Sequence, residues 1–123
     1  MMPFDTAFNP VYEAVRETCQ GLRLKPLRVD EIYGPTHIID DVFRTIEQSK
    51  LVVSDLTGRN PNVLYETGLA HARNRDVIMI VQNDEDVPFD LRHIRYVRYL
   101  PNAQGLEELT VELTETIRAI QGQ

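Results

Sequence analysis

Hydrophobic residues cluster in two kinds of segment along the chain. Short apolar runs rich in β-branched residues occur at Leu51–Val53 and Val77–Val81, and such runs are typical of strands that are buried on both faces. Two further strands are predicted at Leu22–Val29 and Tyr96–Leu100, the first at a sheet edge because Pro26 has no N–H to donate. The apolar pattern therefore predicts a sheet whose inner strands are covered on both sides.

The second kind of segment carries apolar residues at a spacing of three or four, which predicts amphipathic helices. Asn9 and Asn60 are each expected to cap a helix, because each is followed by proline, a favoured first helical residue. Another should run from Thr36 to about Lys50, and a last one over Leu106–Ile120. Strands and helices thus alternate along the chain.

This alternation predicts an α/β fold: a three-layer, flavodoxin-like, doubly wound parallel sheet with strand order 2-1-3-4-5. The first strand, central in that order, should be short or truncated because few residues precede the helix at Asn9. Ligands of such sheets bind beyond the carboxyl ends of the strands, at the point where the strand order reverses. Here that crevice would lie between the first strand and the strand that ends at Asp55.

Composition narrows the possible partners. A length of 123 residues fits a single domain that spans residues 1–123 and has its own core. The net charge of −6 argues against a nucleic-acid polymer as partner, and no apolar run is long enough to cross a membrane. One cysteine, Cys19, cannot form an internal disulfide, which fits a cytoplasmic location.

The segment from Leu51 to His71 carries the candidate chemistry. A strand, a polar turn and a capped helix start together direct backbone N–H groups toward one place, which is a natural cradle for an anion or a sugar. The candidate binding residues in this cradle are Thr57, Gly58, Asn60 and Asn62. Neither His71 nor His93 has histidine or cysteine partners at metal-ligand spacing, so we expect no metal and no cofactor.

The residues Asp55-Leu56-Thr57, Asn60-Pro61-Asn62 and Tyr65–Ala72 resemble the nucleoside 2-deoxyribosyltransferase superfamily. The chain looks most like the small bacterial members of this superfamily that are intermediate between it and TIR-like domains. The residues Met2-Pro3-Phe4-Asp5 also match the pattern of these members. The resemblance implies a flavodoxin-like domain that cleaves or transfers the N-glycosidic bond of a nucleoside or nucleotide.

The same resemblance implies residue roles. Glu66 matches the catalytic nucleophile, Asp40 or Asp41 lies near the position of an assisting acid or base, and Phe4 and Asp5 match substrate-binding positions. Asn60 departs from the family, because many transferases have Asp there. TIR-type NAD hydrolases also rely on a glutamate carried by a helix near the ribose, so a TIR-like NAD hydrolase is the alternative that the resemblance implies.

Glycosidic cleavage passes through an oxocarbenium-like state, which one carboxylate can stabilise or trap while a second group protonates the leaving base. Glu66 paired with Asp41 or Asp55 would supply these groups. Other roles stay open: Asp55 is equally explained as a partner of the Thr57–Gly58 turn, and Asp40 and Asp41 as solvent-facing helix residues. A non-catalytic nucleotide-sensing domain is the rival function, and a homo-oligomer that completes the site is a third possibility.

Overall fold

A computed structural model of the chain describes residues 1–3, 5–28 and 39–122. The helices, in chain order, are α1 (Asn9–Gly21), α2 (Ile39–Gln48), α3 (Pro61–Ala72) and α4 (Ala103–Ile120). The strands are β1 (Leu51–Asp55), β2 (Asp76–Val81) and β3 (Tyr96–Arg98). Short 3₁₀ turns lie at Thr6–Phe8, Thr57–Arg59, Asp84–Asp86 and Phe89–Leu91. The predicted mixture of helices and strands is therefore present.

The described strands form a parallel sheet in the order β1-β2-β3. Leu51 pairs with Asp76, and Met79 pairs with Tyr96. Because the strands are parallel, the chain returns to the amino-terminal edge of the sheet before each new strand begins. Between β1 and β2, α3 forms most of this return. This parallel α/β arrangement is compatible with a flavodoxin-like fold.

Helices cover both faces of the sheet because successive strand residues point to opposite sides. On β2, Ile78 and Ile80 pack with α1 and α4, whose buried residues there include Val11 and Leu113. The intervening residue Met79 faces the other way and packs with Val63 of α3. The molecule is thus built in three layers, with α1 and α4 on one face and α3 on the other.

Helix α2 joins α3 on the second face. Its buried residues Val42 and Ile46 pack against Val52 of β1 and Ala70 of α3. These apolar contacts put α2 over the β1 end of the sheet. Among the described helices, none combines the length and the apolar character needed to span a bilayer.

Met1 extends the sheet on the side of β1 that faces away from β2. The Met1 amino nitrogen donates to the Val53 carbonyl at 2.8 Å, and the Asp55 N–H donates to the Met1 carbonyl at 2.8 Å. These two bonds are the pattern of a parallel bridge opposite Ser54. On the other side, the Leu56 N–H donates to the Ile80 carbonyl, so β1 lies between Met1 and β2.

The strand predicted at Leu22–Val29 is not present in its described part, which ends at Arg28. The chain leaves α1 through a turn, in which the Leu22 N–H bonds carbonyls of the last helical turn and Arg23 has a positive φ of 60°. Pro26, which lacks an N–H, then weakens any pairing. Val29 and the helix start predicted at Thr36 lie outside the described residues.

Helix starts depend on the chain that precedes them. Asn60 caps α3 as predicted, because its side-chain oxygen accepts from the N–H groups of Asn62 and Val63. Asn9 is instead the first residue of α1 and Phe8 holds the cap position without a side-chain hydrogen bond. The 3₁₀ turn at Thr6–Phe8 leads directly into α1, so Asn9 is already helical.

Candidate functional site

A cavity of about 370 Å³ lies along the edge of β1 on the side of Met1. Two runs of consecutive residues line it, Arg23–Arg28 and Gln48–Val53. Apolar residues of α1 and α2 close the two faces, among them Val15, Cys19, Val42 and Ile46. The volume falls within the range of about 300–1,000 Å³ that is typical of small-molecule sites.

Glu66 lies on the wall of this cavity. Helix α3 begins six residues after β1 ends, so its first turns stand near the carboxyl end of β1. Glu66 is in the second of these turns, is half-buried, and lines the cavity together with Met1 and Met2. The predicted nucleophile therefore lies on the wall of a cavity whose β1 residues are Leu51–Val53, the first three of that strand.

Asp40 and Asp41 open α2 and differ in exposure. Asp40 is exposed, whereas the Asp41 side chain is 15% exposed and its carboxylate lies 3.6 Å from the Arg44 guanidinium. Neither aspartate is among the described residues that line the cavity, although the next residue, Val42, is. Of the two aspartates, Asp41 is the more buried, and it directly precedes the cavity-lining residue Val42.

Backbone donors of the predicted cradle are satisfied within the chain. The Gly58 N–H donates to the Asp86 carboxylate at 2.8 Å, and the Asn60 side chain accepts from the N–H groups that open α3. Asn62 is exposed. None of Thr57, Gly58, Asn60 and Asn62 is among the described residues that line the cavity. Asn62 stands one turn before Glu66 on α3, but it does not line the cavity that Glu66 lines.

Asp55 is fully buried at the end of β1 and holds a network of polar side chains. Its carboxylate accepts from the backbone N–H and the hydroxyl of Thr57 at 3.0 and 2.6 Å, and from the Tyr99 hydroxyl. The Gln82 amide donates to the Tyr99 hydroxyl at 3.1 Å, and the Gln82 N–H donates to the Thr57 hydroxyl at 3.0 Å. Asp55 therefore makes the turn contact expected of it and joins β1 to the ends of β2 and β3.

Burial dominates the electrostatics of this network. It raises the pKa of Asp55 above the ordinary value of 3.8, while the hydrogen bonds from Thr57 and Tyr99 act in the opposite direction. The pKa of Tyr99 is also raised, first by burial and then by the negative charge of Asp55. Tyr99 consequently stays protonated and donates to Asp55.

Sequence reasoning missed the partners of Asp55. Gln82 directly follows β2 and Tyr99 directly follows β3, just as Asp55 ends β1. The carboxyl ends of neighbouring parallel strands meet at one edge of the sheet, so polar residues at three strand ends are a signal that the sequence already contained. Asp86, which bonds Gly58 from a loop, had no comparable signal.

Positively charged side chains also reach the cavity. The Arg28 guanidinium lies 4.8 Å from the centre of the Tyr12 ring, and both residues line the cavity. Stacking of this kind orients an arginine side chain. Arg28 is a cation on the cavity wall that sequence reasoning did not single out.

The remaining predicted positions lie apart from the cavity. Asp5 is exposed and its carboxylate accepts from the Ala7 N–H at 2.9 Å, which caps the first 3₁₀ turn. Phe4 lies outside the described residues. Within the described ranges, no group of three or more His, Cys, Asp or Glu side chains has the arrangement of a metal site.

No model of a known protein family matches the chain, and comparisons with curated proteins and with solved structures likewise find no match.

Proposed function

We propose that the chain binds a nucleoside- or nucleotide-type ligand and cleaves or transfers its N-glycosidic bond through Glu66. The observation that carries this proposal is the position of Glu66, which is half-buried on the cavity wall beside Met1. If the Glu66 side chain pointed to bulk water and no cavity lay beside it, the enzymatic hypothesis would have no site.

The proposal includes a nucleoside 2-deoxyribosyltransferase-like domain with strand order 2-1-3-4-5. Met1 supports this order, because its bridge to β1 lies on the side away from β2. In that order β1, β2 and β3 would be the third, fourth and fifth strands. Met1 would then occupy the end of the first strand, next to the crevice at which ligands of such sheets bind.

In the proposed reaction the bond between the sugar and the base nitrogen breaks, and its electron pair leaves with the base. Glu66 attacks the anomeric carbon or stabilises its positive charge, and an acid gives the departing nitrogen a proton. Water then supplies a hydroxyl group to the anomeric carbon and returns a proton to the acid. A second base takes the place of water when the sugar is transferred.

Among the aspartates, we assign the assisting role to Asp41. It lies next to the cavity-lining Val42 and is mostly buried, whereas Asp40 is exposed. The Asp55 oxygens are bonded to Thr57 and Tyr99, so in this proposal Asp55 supports the sheet edge rather than the ligand. Arg28 on the cavity wall favours a ligand that carries a phosphate.

Substitution of Glu66 by Gln tests the proposal. E66Q keeps the size of the side chain but removes its negative charge, so base release should fall at least about 100-fold. Release is measured by chromatography across nucleosides, nucleotides and NAD, and a thermal melt verifies that the variant is folded. Glu107→Gln, an exposed position on α4, is the matched control and should keep the wild-type rate. Equal rates in wild type and E66Q for every compound would refute the proposed role.

A nucleotide-sensing domain without chemistry is the second candidate. Among the described residues that line the cavity, Glu66 is the one with a carboxylate, and Asp41, the proposed second carboxylate, is not among them. Calorimetry with the same compounds separates the two functions. Binding that leaves the ligand intact, in wild type and E66Q alike, would establish the sensor.

A further inference from the structure

The side of α3 that faces away from the sheet carries no charged residue. The exposed residues of α3, which the structure describes in full, are Pro61, Asn62, Tyr65, Gly68 and Ala72. A helix at the surface of a globular protein normally presents charged and polar residues on the side away from the core. The outer side of α3 therefore has the composition of a surface that packs against another polypeptide.

Four of these exposed residues form a stripe along the helix. They are separated by four, three and four positions, and they are Pro61, Tyr65, Gly68 and Ala72. This is the spacing of the a and d positions of a coiled coil, which lie along one side of a helix. At 3.6 residues per turn, the stripe is opposite Val63 and Ala70, which are buried against the core. We call these four residues the outer stripe.

The outer stripe is complementary to itself in shape. Tyr65 carries a large side chain that is 59% exposed. Gly68 leaves open space, because a Cβ atom at that position would have no heavy atom within 4 Å. In a two-fold interface the same surface supplies both sides of every contact. Tyr65 of one copy therefore fills the space over Gly68 of a second copy.

Charge also favours a second copy at α3. A two-fold interface sets a surface against itself, so like charges on that surface oppose each other. The other helices expose acidic residues, namely Glu13 and Glu17 on α1, Asp40 and Glu47 on α2, and Glu108 and Glu112 on α4. In a chain with a net charge of −6, α3 is the described helix whose outer side meets itself without such repulsion.

A further apolar side chain lies beside the outer stripe. Phe89 is 83% exposed, and Leu91 of the same turn packs in a cluster with Leu64 of α3. Helix α2 packs near Leu69, on the other flank of α3. The apolar surface thus extends from the outer stripe toward the loop that carries Phe89, away from α2.

We propose that two copies of this chain associate through the outer stripe of α3, with the two helices antiparallel. When Tyr65 of one copy faces Gly68 of the other, the reversed chain direction also sets Pro61 opposite Ala72. The small residues let the helices approach closely, and the tyrosines fill the space between them. A helix of 12 residues is about 18 Å long, so the interface is small and the dimer should form at about micromolar concentrations.

This inference goes beyond the proposed function. The outer stripe does not line the cavity that Glu66 lines. Association is measured without any nucleotide, whereas base release is measured with one. Failure of either proposal therefore leaves the other standing.

Sedimentation equilibrium of the full chain at increasing concentration tests the association. The mean mass should rise from 14.2 kDa toward twice that value. Tyr65→Glu places a carboxylate on both sides of the interface and should raise the dissociation constant at least about tenfold. Val111→Glu is the matched control, because Val111 is 57% exposed on α4, and the dissociation constant should stay unchanged. Thermal melts verify that both variants are folded.

Disulfide cross-linking tests the antiparallel orientation. A mixture of Pro61→Cys and Ala72→Cys proteins should form linked dimers under mild oxidation, because these two positions face each other. Ala72→Cys alone should not, because the two copies of this position lie about 16 Å apart along the helices, too far for a disulfide. The unmodified chain, whose single Cys19 is 8% exposed, gives the background rate.

A mean mass that stays at 14.2 kDa at every concentration would overturn the proposal. Equal dissociation constants for the unmodified chain and Tyr65→Glu would overturn it as well, because the dimer would then use another surface. Cross-linking of Ala72→Cys alone as fast as the mixture would contradict the antiparallel pairing.

Discussion

Asp55 illustrates how one buried carboxylate can organise the edge of a sheet. It ends β1, yet its oxygens are bonded by Thr57 in the following turn and by Tyr99 beyond β3. A buried carboxylate needs such donors, because an ion removed from water without partners is strongly disfavoured. The hydroxyl of Tyr99 is therefore expected to stabilise the fold through a group that the sequence places 44 residues away.

Tyr99→Phe should lower the free energy of unfolding by about 1–3 kcal/mol, because Asp55 loses a donor in the core. Urea denaturation at neutral pH measures the change. Tyr65→Phe removes the same hydroxyl from a side chain that is 59% exposed, and its effect should stay within about 0.5 kcal/mol. Equal effects of the two substitutions would show that the bond to Asp55 contributes little.

The pH dependence of stability should carry a signature of Asp55. Its pKa is raised in the folded protein, so the folded state binds the proton more tightly than the unfolded chain does. The free energy of unfolding then falls as pH rises from the ordinary value of 3.8 through the raised value. Asp55→Asn has no such proton, so the stability of wild type relative to the variant should decrease over this interval. Denaturation curves at several pH values test the sign, and a difference that grows with pH would contradict it.

Among the elements, α3 and α4 owe their start points to asparagine caps. The Asn60 side chain accepts from the Asn62 and Val63 N–H groups at 3.0 and 3.2 Å, and Asn102 accepts from the Gly105 N–H at 2.7 Å. Both caps satisfy donors that have no partner within the first helical turn. The start of α3 also fixes where Glu66 stands relative to the cavity.

Asn60→Ala should destabilise the protein by about 1 kcal/mol, because the two N–H groups at the start of α3 lose their acceptor. Asn83→Ala is the matched control, since Asn83 is exposed and makes no cap hydrogen bond. Chemical denaturation of both variants gives the comparison. A loss of stability in Asn83→Ala as large as in Asn60→Ala would argue against the cap.

Elements with a strong local signal could be predicted from the sequence. The apolar run at Val77–Val81 and the Asn60-Pro61 pair lie where the structure has β2 and the start of α3. The strand predicted at Leu22–Val29 is absent from its described part, because the apolar residues there lie in a turn or line the cavity and do not pair with a strand. Apolar character alone does not distinguish these environments.

Across the whole molecule, α1 and α4 form the layer that covers one face of the sheet. Leu113 is fully buried in this layer and packs with Val11 and Ile80. Leu113→Ala should lower the free energy of unfolding by about 2–5 kcal/mol through lost burial and the resulting cavity. Val111→Ala, on the same helix but 57% exposed, should change it by less than about 0.5 kcal/mol. Similar losses in both variants would mean that α4 is not packed as described.

The candidate site could be predicted only in part, because a cavity is a property of packing. The spacing predicted that Glu66 lies in the second turn of a capped helix after β1, and the structure has it there, on the wall of the cavity. Gly58 could not be placed in the same way. The Gly58 N–H donates to the carboxylate of Asp86, which lies 28 residues further along the chain. The sequence predicted this N–H as a donor to a ligand.

The pairing of Met1 with β1 bears on how the protein should be produced. Met1 is hydrogen-bonded to β1 through both its amino nitrogen and its carbonyl, so residues joined ahead of it emerge beside β1. Gly122, by contrast, is exposed beyond the end of α4. A purification handle belongs after Gln123, because one placed ahead of Met1 would crowd the cavity that Met1 lines.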